Sequence, residues 1–365
     1  MKYIFLILLF ISSLCFGQDK TADSIKTAND SIIRAEYIRN FHNQLNIRFE
    51  ISNEKQDYIT TMLGPEARIS PNLKFRYALG INYKYISFRI GLRSGVSKDS
   101  KNEKGDSDHF RLKMKLLFTN WSHRLEYNYV KGYYIKNSED FTRNYNSVSN
   151  NVQMPDMKTN IFSGTTAYKF NKHYSIRAIE SQTEIQLKSA GSFIPSLDYW
   201  YYTISDTQRY IAPDGSEVIR DEFHKYNGIN TVINAGYYYT YIYRKNWYLH
   251  AYAAPGAGID FYKVTTTTPE SRFSNKDKSL VFSIQSGAAI GYNNERFYGG
   301  LDYNNRHTYE NYTPEQFQFN TSRNTFHIFI GYRFRPPKQV TNSVDYIEKK
   351  VPILKDIDEK SKKNY

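Results

Sequence analysis

Arg48, Lys74, Arg76, Arg89, Arg93, Arg111, Lys113, Lys115 and Arg124 stand at alternate positions of short segments whose other positions are largely apolar. In an extended chain successive side chains point to opposite faces, so these cations gather on the face away from the apolar one. Neighbouring strands lie about 4.8 Å apart, close enough for the side chains to merge into one basic patch. Guanidinium groups pair with carboxylate, sulfate or phosphate in a two-pronged geometry, and lysine adds point charges. Glu50, Glu126, Glu180 and Glu184 share the polar faces and are too few to neutralise the cations. Two readings follow. Either the patch lines a narrow anion-preferring channel or cleft, or the charges satisfy one another in a closed interior that serves a structural or interaction role in envelope assembly or secretion.

Other chemistry has little support. The eight histidines are scattered, without H-x-H or H-E-x-x-H spacing, and the single cysteine, Cys15, lies among the first seventeen residues. Metal centres built on such ligand pairs, disulfides and thiol catalysis are therefore not expected. Arg306, His307 and Thr308 at a strand end invite comparison with a barrel-wall lipase, but the residue two beyond His307 is Tyr309 rather than serine. No nucleophile with a base in reach can be named, so neither catalytic residues nor a cofactor are assigned.

The elements that must carry the charged faces are strands of period two. Leu45, Ile47, Phe49 and Ile51 alternate with Asn46, Arg48 and Glu50. Similar patterning marks 43–51, 72–84, 86–93, 110–118, 121–133, 160–170, 174–188, 229–243, 247–262, 280–292, 297–306 and 325–334. Most reach the roughly 9–11 residues a tilted strand needs to cross a bilayer. Short breaks alternate with the long polar segments 52–71, 94–109, 136–159, 189–228, 263–279 and 307–324. Aromatic rings bracket the short breaks, as with Tyr83 and Tyr85, Phe118 and Trp121, Phe170 and Tyr174, Tyr243 and Trp247, and Tyr292 and Phe297. Such rings settle where hydrocarbon meets water. A soluble sandwich has no reason for either regularity. The expected fold is all-β, a transmembrane antiparallel barrel of about twelve strands, with short turns at one membrane surface and long loops at the other.

Segment 189–228 is too long for a plain loop and contains Tyr199, Trp200, Tyr201 and Tyr202 in a strand-like stretch. It either extends outside or folds inward, or it adds two strands to make fourteen. Strands from 229 onward present small residues inward, as in Ser283, Gln285, Gly287, Ala289 and Gly291, which leave room for a solute or pack against an inserted loop.

Lys2, the apolar run 3–11 and the small residues before Gln18 form a secretory leader, 1–17, cleaved after Gly17. A lipid anchor at Cys15 fits poorly because Leu14 precedes it. Segment 18–40 reads as a periplasmic lead-in, 41–334 as the barrel, and 335–365 as a solvated periplasmic tail after Pro336 and Pro337. After the leader no apolar run is long enough for a membrane helix, and mean hydropathy is −0.65. The address is therefore the outer membrane. The formal charge of +13 would suit nucleic acid, but an exported chain meets lipopolysaccharide and acidic sugars instead. The partners expected are outer-membrane lipid and lipopolysaccharide, the barrel-assembly machinery that reads a terminal strand such as 325–334, and anionic solutes or a periplasmic protein. Aromatic content of 16%, with 34 tyrosines, fits interfacial rings.

Three pieces carry a resemblance: Lys131-Gly132-Tyr133-Tyr134, the run SIRAIESQTEIQLKSAGS at 175–192, and Gly331-Tyr332-Arg333-Phe334 followed by Pro336-Pro337-Lys338. Together they resemble an uncharacterised, domain-of-unknown-function family of outer-membrane barrels from the Bacteroidota, over roughly 41–338. The resemblance implies the barrel and its compartment, and it carries no site residues.

Overall fold

The structure is a computed structural model that describes residues 34–41, 43–60, 66–93, 95–141, 150–206, 208–311 and 320–351. The expected leader and most of the lead-in lie outside the described residues. In chain order the strands are β1 (Ile38–Asn40), β2 (Leu45–Thr60), β3 (Ala67–Ser70), β4 (Phe75–Tyr83), β5 (Ile86–Arg93), β6 (Asp108–Leu117), β7 (Trp121–Ile135) and β8 (Gln153–Tyr168). They continue as β9 (Glu184–Gln186), β10 (Ala190–Ser205), β11 (Arg209–Ile211), β12 (Glu217–Ile219), β13 (Phe223–Tyr243), β14 (Trp247–Thr267), β15 (Arg272–Asn293), β16 (Phe297–Asn311) and β17 (Asn320–Phe334). Three α-helices, α1 (Lys98–Lys104), α2 (Arg177–Glu180) and α3 (Lys338–Lys350), and a 3-10 turn at Ser138–Asp140 accompany them.

Twelve strands form one closed antiparallel wall, β2-β4-β5-β6-β7-β8-β10-β13-β14-β15-β16-β17, and β17 returns to β2 in a ladder from Leu45 opposite Phe334 to Ile59 opposite Asn320. The alternation seen in the sequence decides which side chains face out. Ile47 and Phe49 point outward and are exposed, whereas Asn46, Arg48 and Glu50 are buried inside. The same holds around the wall, with Ile233 69% and Ile330 65% exposed. A soluble protein rarely presents such a continuous apolar exterior, and hydrocarbon is the environment that accommodates it. The fold is thus a transmembrane β-barrel turned inside out, with a polar interior.

The count of twelve matches expectation, but the identity of the seventh strand does not. That strand is β10, which lies within the segment read as an external loop, 189–228, and 174–188 is not part of the wall. The cause is the face opposite Glu180, Gln182, Glu184 and Gln186. It carries Arg177, Ser181 and Thr183, which cannot meet lipid, whereas β10 turns Phe193, Leu197 and Tyr201 outward. Residues 169–189 instead leave β8 at the short-turn end and fold into the bore as α2 and β9. There β9 pairs with β1 from the lead-in, Ile38 opposite Gln186 and Asn40 opposite Glu184, so part of 18–40 is also inside. Beyond β10, the rest of 189–228 builds the small β11–β12 hairpin and the start of β13.

Two further expectations change. Segment 263–279 is a continued ladder, Lys263 opposite Lys276 and Thr267 opposite Arg272, closed by the turn 268–271. The tail is not wholly solvated. Its helix α3 sets Val340 and Val344, one turn apart, against Leu45, Tyr83 and Ile86 beneath the short-turn end. In the β4–β5 turn, Lys84 at φ 53° donates to Glu348 Oε1 at 2.9 Å, and Tyr85 Oη donates to the same oxygen at 3.4 Å.

Burial alone would pull the Lys84 ammonium down, but the hydrogen bond and charge of Glu348, with Tyr83 and Asp345 adding, outweigh it and hold the group above its ordinary pKa. The folded value exceeds the unfolded one, so this stabilisation is complete below the ordinary lysine value of about 10.4 and fades as pH rises through the raised value. Glu348→Gln is expected to cost about 1–3 kcal/mol near neutral pH. Thermal melts in detergent should show the wild type's advantage shrinking at strongly alkaline pH.

Candidate functional site, the charged bore

The inner faces bring the cations of the first strands together, and each finds carboxylates across the bore. Glu54 on β2 is the central node, its side chain fully buried. It lies 3.1 Å from Arg76 of β4, 2.5 Å from Arg111 of β6 and 3.0 Å from Arg323 of β17. Glu50, one inward position along, contacts Arg48 at 2.8 Å and Arg89 at 3.0 Å. Glu126 on β7 takes Arg111 at 3.1 Å, Lys113 at 3.4 Å and Arg323 at 3.1 Å. On the other side of the bore, Asp198 of β10 accepts from Gln285 at 2.7 Å, Asn234 at 3.0 Å and Arg306 at 3.2 Å. Asp302 accepts from His327 at 2.6 Å if that ring nitrogen carries the proton, and it stands 3.6 Å from Arg48.

The inserted segment completes this network. Glu180 of α2 bonds Lys115 at 3.0 Å and forms a two-pronged pair with Arg124. Arg48 donates to Gln182 Oε1 at 3.0 Å, and Arg333 of β17 donates to the Gln182 carbonyl at 2.9 Å. Asn46 and Asn293 hold the carbonyls of Ser181 and Glu184 at 3.0 and 3.1 Å. Glu184 itself faces the lead-in and its own segment, bonding Arg34 at 3.0 Å, with Arg177 at 3.5 Å.

In these ion pairs nine lysines and arginines share six carboxylates. A cavity of about 320 Å³ remains between the inserted segment and the wall. Arg89, Lys113, Lys115 and Arg124 line one side of it, and Tyr238 and Tyr252 line another. Those two rings are stacked 4.7 Å apart and nearly parallel. Toward the long loops, a layer containing Tyr58, Ile69, Tyr133, Met154, Ile204 and Tyr210 packs the interior with apolar side chains.

Of the residues singled out from the sequence, Arg48, Arg76, Arg89, Arg111, Lys113, Lys115, Arg124, Glu50, Glu126 and Glu180 meet in this network. Lys74 does not. It stands exposed one residue before β4, where the chain has left the wall. Glu184 belongs to the inserted segment rather than to the wall. The backbone of Arg93 pairs with Arg76, but its side chain lies outside the described residues. Sequence reasoning missed Glu54, Asp198, Asp302, Arg323 and His327, and it weighed Arg306 only beside His307 rather than as a bore cation. The period-two pattern of β2, carried past Ser52, contained the signal for Glu54. Among the described residues no group of three or more His, Cys, Asp or Glu is arranged to hold a metal ion. His307 sits on the outward face beside Asn305, at 3.0 Å.

A family model described as Domain of unknown function (DUF4421) matches residues 28–334. No curated protein matches the chain. Among solved structures, the outer membrane protease OmpT from Escherichia coli is similar at 9% identity over 81% of this chain and 98% of that one, with a TM-score of 0.38. The β domain of the Bordetella autotransporter BrkA is similar at 10% identity, over 80% and 99%, with a TM-score of 0.33. LpxR from Salmonella typhimurium is similar at 9% identity, over 78% and 99%, with a TM-score of 0.29. Similarity at this level assigns nothing to this chain, and the barrel rests on its own strand pairing.

Removing one member of a buried charge network leaves its partners uncompensated, at about 3–5 kcal/mol. Glu54→Gln, which strands Arg76, Arg111 and Arg323 together, is therefore expected to lower the urea midpoint of the detergent-solubilised barrel far more than Lys74→Gln. Equal midpoints would remove Glu54 from its central place.

Proposed function

The chain belongs to the family described as Domain of unknown function (DUF4421), and we propose that it is an integral outer-membrane β-barrel that stays closed at rest, acting as a structural or interaction protein of the envelope rather than as an open pore. One observation carries the reading: both ends of the bore are occupied, by the inserted segment with its ion pairs at the short-turn end and by the apolar layer at the other. The outward apolar belt supports a lipid address. The short turns and the described chain ends share one side, which corresponds to the periplasm in a barrel assembled from within. An aromatic terminal strand ending at Tyr332 and Phe334 suits recognition by the barrel-assembly machinery. No reaction is assigned.

A second reading, a narrow anion-preferring channel, is favoured by the cavity that Arg89, Lys113, Lys115 and Arg124 line. It requires 171–188 to leave the bore. In planar bilayers the inserted wild type should be silent, and a variant lacking 171–188 should conduct with anion preference. Discrete anion-favouring currents from the wild type, reversed by replacing Arg76, Arg89 and Arg111 with Glu, would overturn the closed state in favour of the channel. Recovery of the protein as a soluble periplasmic species after cell fractionation would sink both readings.

A further inference from the structure

The outer surface is not uniform where the apolar belt ends on the long-loop side. On β13, β14 and β15 the outward positions are apolar through Ile229, Ile259, Phe261, Leu280 and Phe282, and these side chains are exposed. Immediately beyond them the outward positions become Lys263, Lys276 and Lys278, all exposed, with the half-buried Lys225 beside them. The ladder sets Lys263 directly opposite Lys276 and Phe261 opposite Lys278, with Asn227 opposite Lys263 and Thr265 opposite Lys225. The outward faces of these three strands contain no Asp or Glu. None of the four lysines has an ion pair among the described residues.

Like charges directly opposite in a ladder destabilise it, and these are held there by main-chain bonds on both sides. An anion shared between them removes the repulsion. The patch is not repeated on β2, β16 and β17. There the corresponding outward positions are Asn53, Lys55, Asn305, His307, Ser322 and Asn324, with Lys55 the one lysine. Four lysines over apolar and aromatic side chains match an anionic amphiphile whose headgroup carries phosphate and whose acyl chains lie against the belt.

We propose that this face of β13–β15 binds the phosphorylated headgroup of a glycolipid in the leaflet on the long-loop side. Lys263 and Lys276 share one phosphate, Lys278 and Lys225 flank it, and the acyl chains cover Ile229, Ile259, Phe261, Leu280 and Phe282. The inference rests on the outer-membrane reading above and adds to it the lipid class and the residues that select it.

The test uses the full-length barrel in detergent, titrated with diphosphorylated lipid A and, separately, with the same lipid lacking phosphates, with bound fractions read by native mass spectrometry. The wild type should favour the phosphorylated form by at least about tenfold, and salt should erode the preference. Replacing all four lysines with glutamine should abolish the preference, replacing them with arginine should keep it, and Lys55→Gln on β2 should leave it intact. Equal binding of the two lipids by the wild type overturns the proposal, as does an undiminished preference in the glutamine variant or loss of preference in the arginine variant. If the glutamine variant does not fold, the wild type's discrimination and its salt dependence decide. Heat-modifiable migration of the same samples, and their need for detergent, report separately on the membrane barrel itself. A failed lipid preference in a protein that passes those checks refutes only this site.

Discussion

Closure of the wall between β17 and β2 is the constraint from which the remaining architecture follows. A sheet surrounded by hydrocarbon cannot leave a strand edge unpaired, because each exposed amide and carbonyl costs several kcal/mol with no water to receive it. The fifteen-residue ladder from Leu45 opposite Phe334 to Ile59 opposite Asn320 removes both edges at once. Once the wall is closed, period-two strands have only two destinations for their side chains, lipid and bore. Ile233 and Ile330 go to the first, and Arg48, Glu50 and Glu54 to the second.

Crowding charge into a narrow bore creates its own demand. Burying ions is expensive unless they are paired and well bonded, and this interior meets that demand by sharing. Glu54 serves three guanidinium groups from three different strands, and Arg323 and Arg111 each bridge Glu54 to Glu126. The inserted segment is part of the same balance. Lys115 and Arg124 pair with Glu180 of α2, so the wall alone leaves that corner of the bore cationic. Occupation of the bore and neutralisation of its cations are thereby one event. Arg89, Lys113, Lys115 and Arg124 stand around a cavity with stacked tyrosines, while a separate set of lysines faces outward above the lipid belt. The barrel thus presents cationic surfaces both inside and out, with different geometry.

Much of this was legible before any tertiary information. The alternation of Ile47 and Phe49 with Arg48 and Glu50 specified both faces of β2, and the same logic put Arg76, Arg89, Arg111 and Arg124 in the interior. The errors came where local pattern and burial part company. Residues 174–188 alternate as a strand does, yet Arg177, Ser181 and Thr183 fall on the face that lipid would have to meet. Within 190–205 the stretch around Tyr199 to Tyr202 was legible as strand-like, but its polar neighbours left it outside the expected wall. Lys74 kept the correct parity but stood outside the ladder. In α3, polar and charged residues dominate the composition, and Val340 and Val344 on one face betray a docked helix.

By itself the sequence determined the class of fold, the even strand number and the direction of most wall side chains, because a period of two beside lipid permits one choice of face. Tertiary structure alone decided which strand takes the seventh place, what enters the bore and which carboxylate each cation meets. Those outcomes depend on contacts between residues far apart in the chain, such as Glu54 with Arg323 and Arg124 with Glu180. A local pattern records the face a side chain occupies but not what stands across from it.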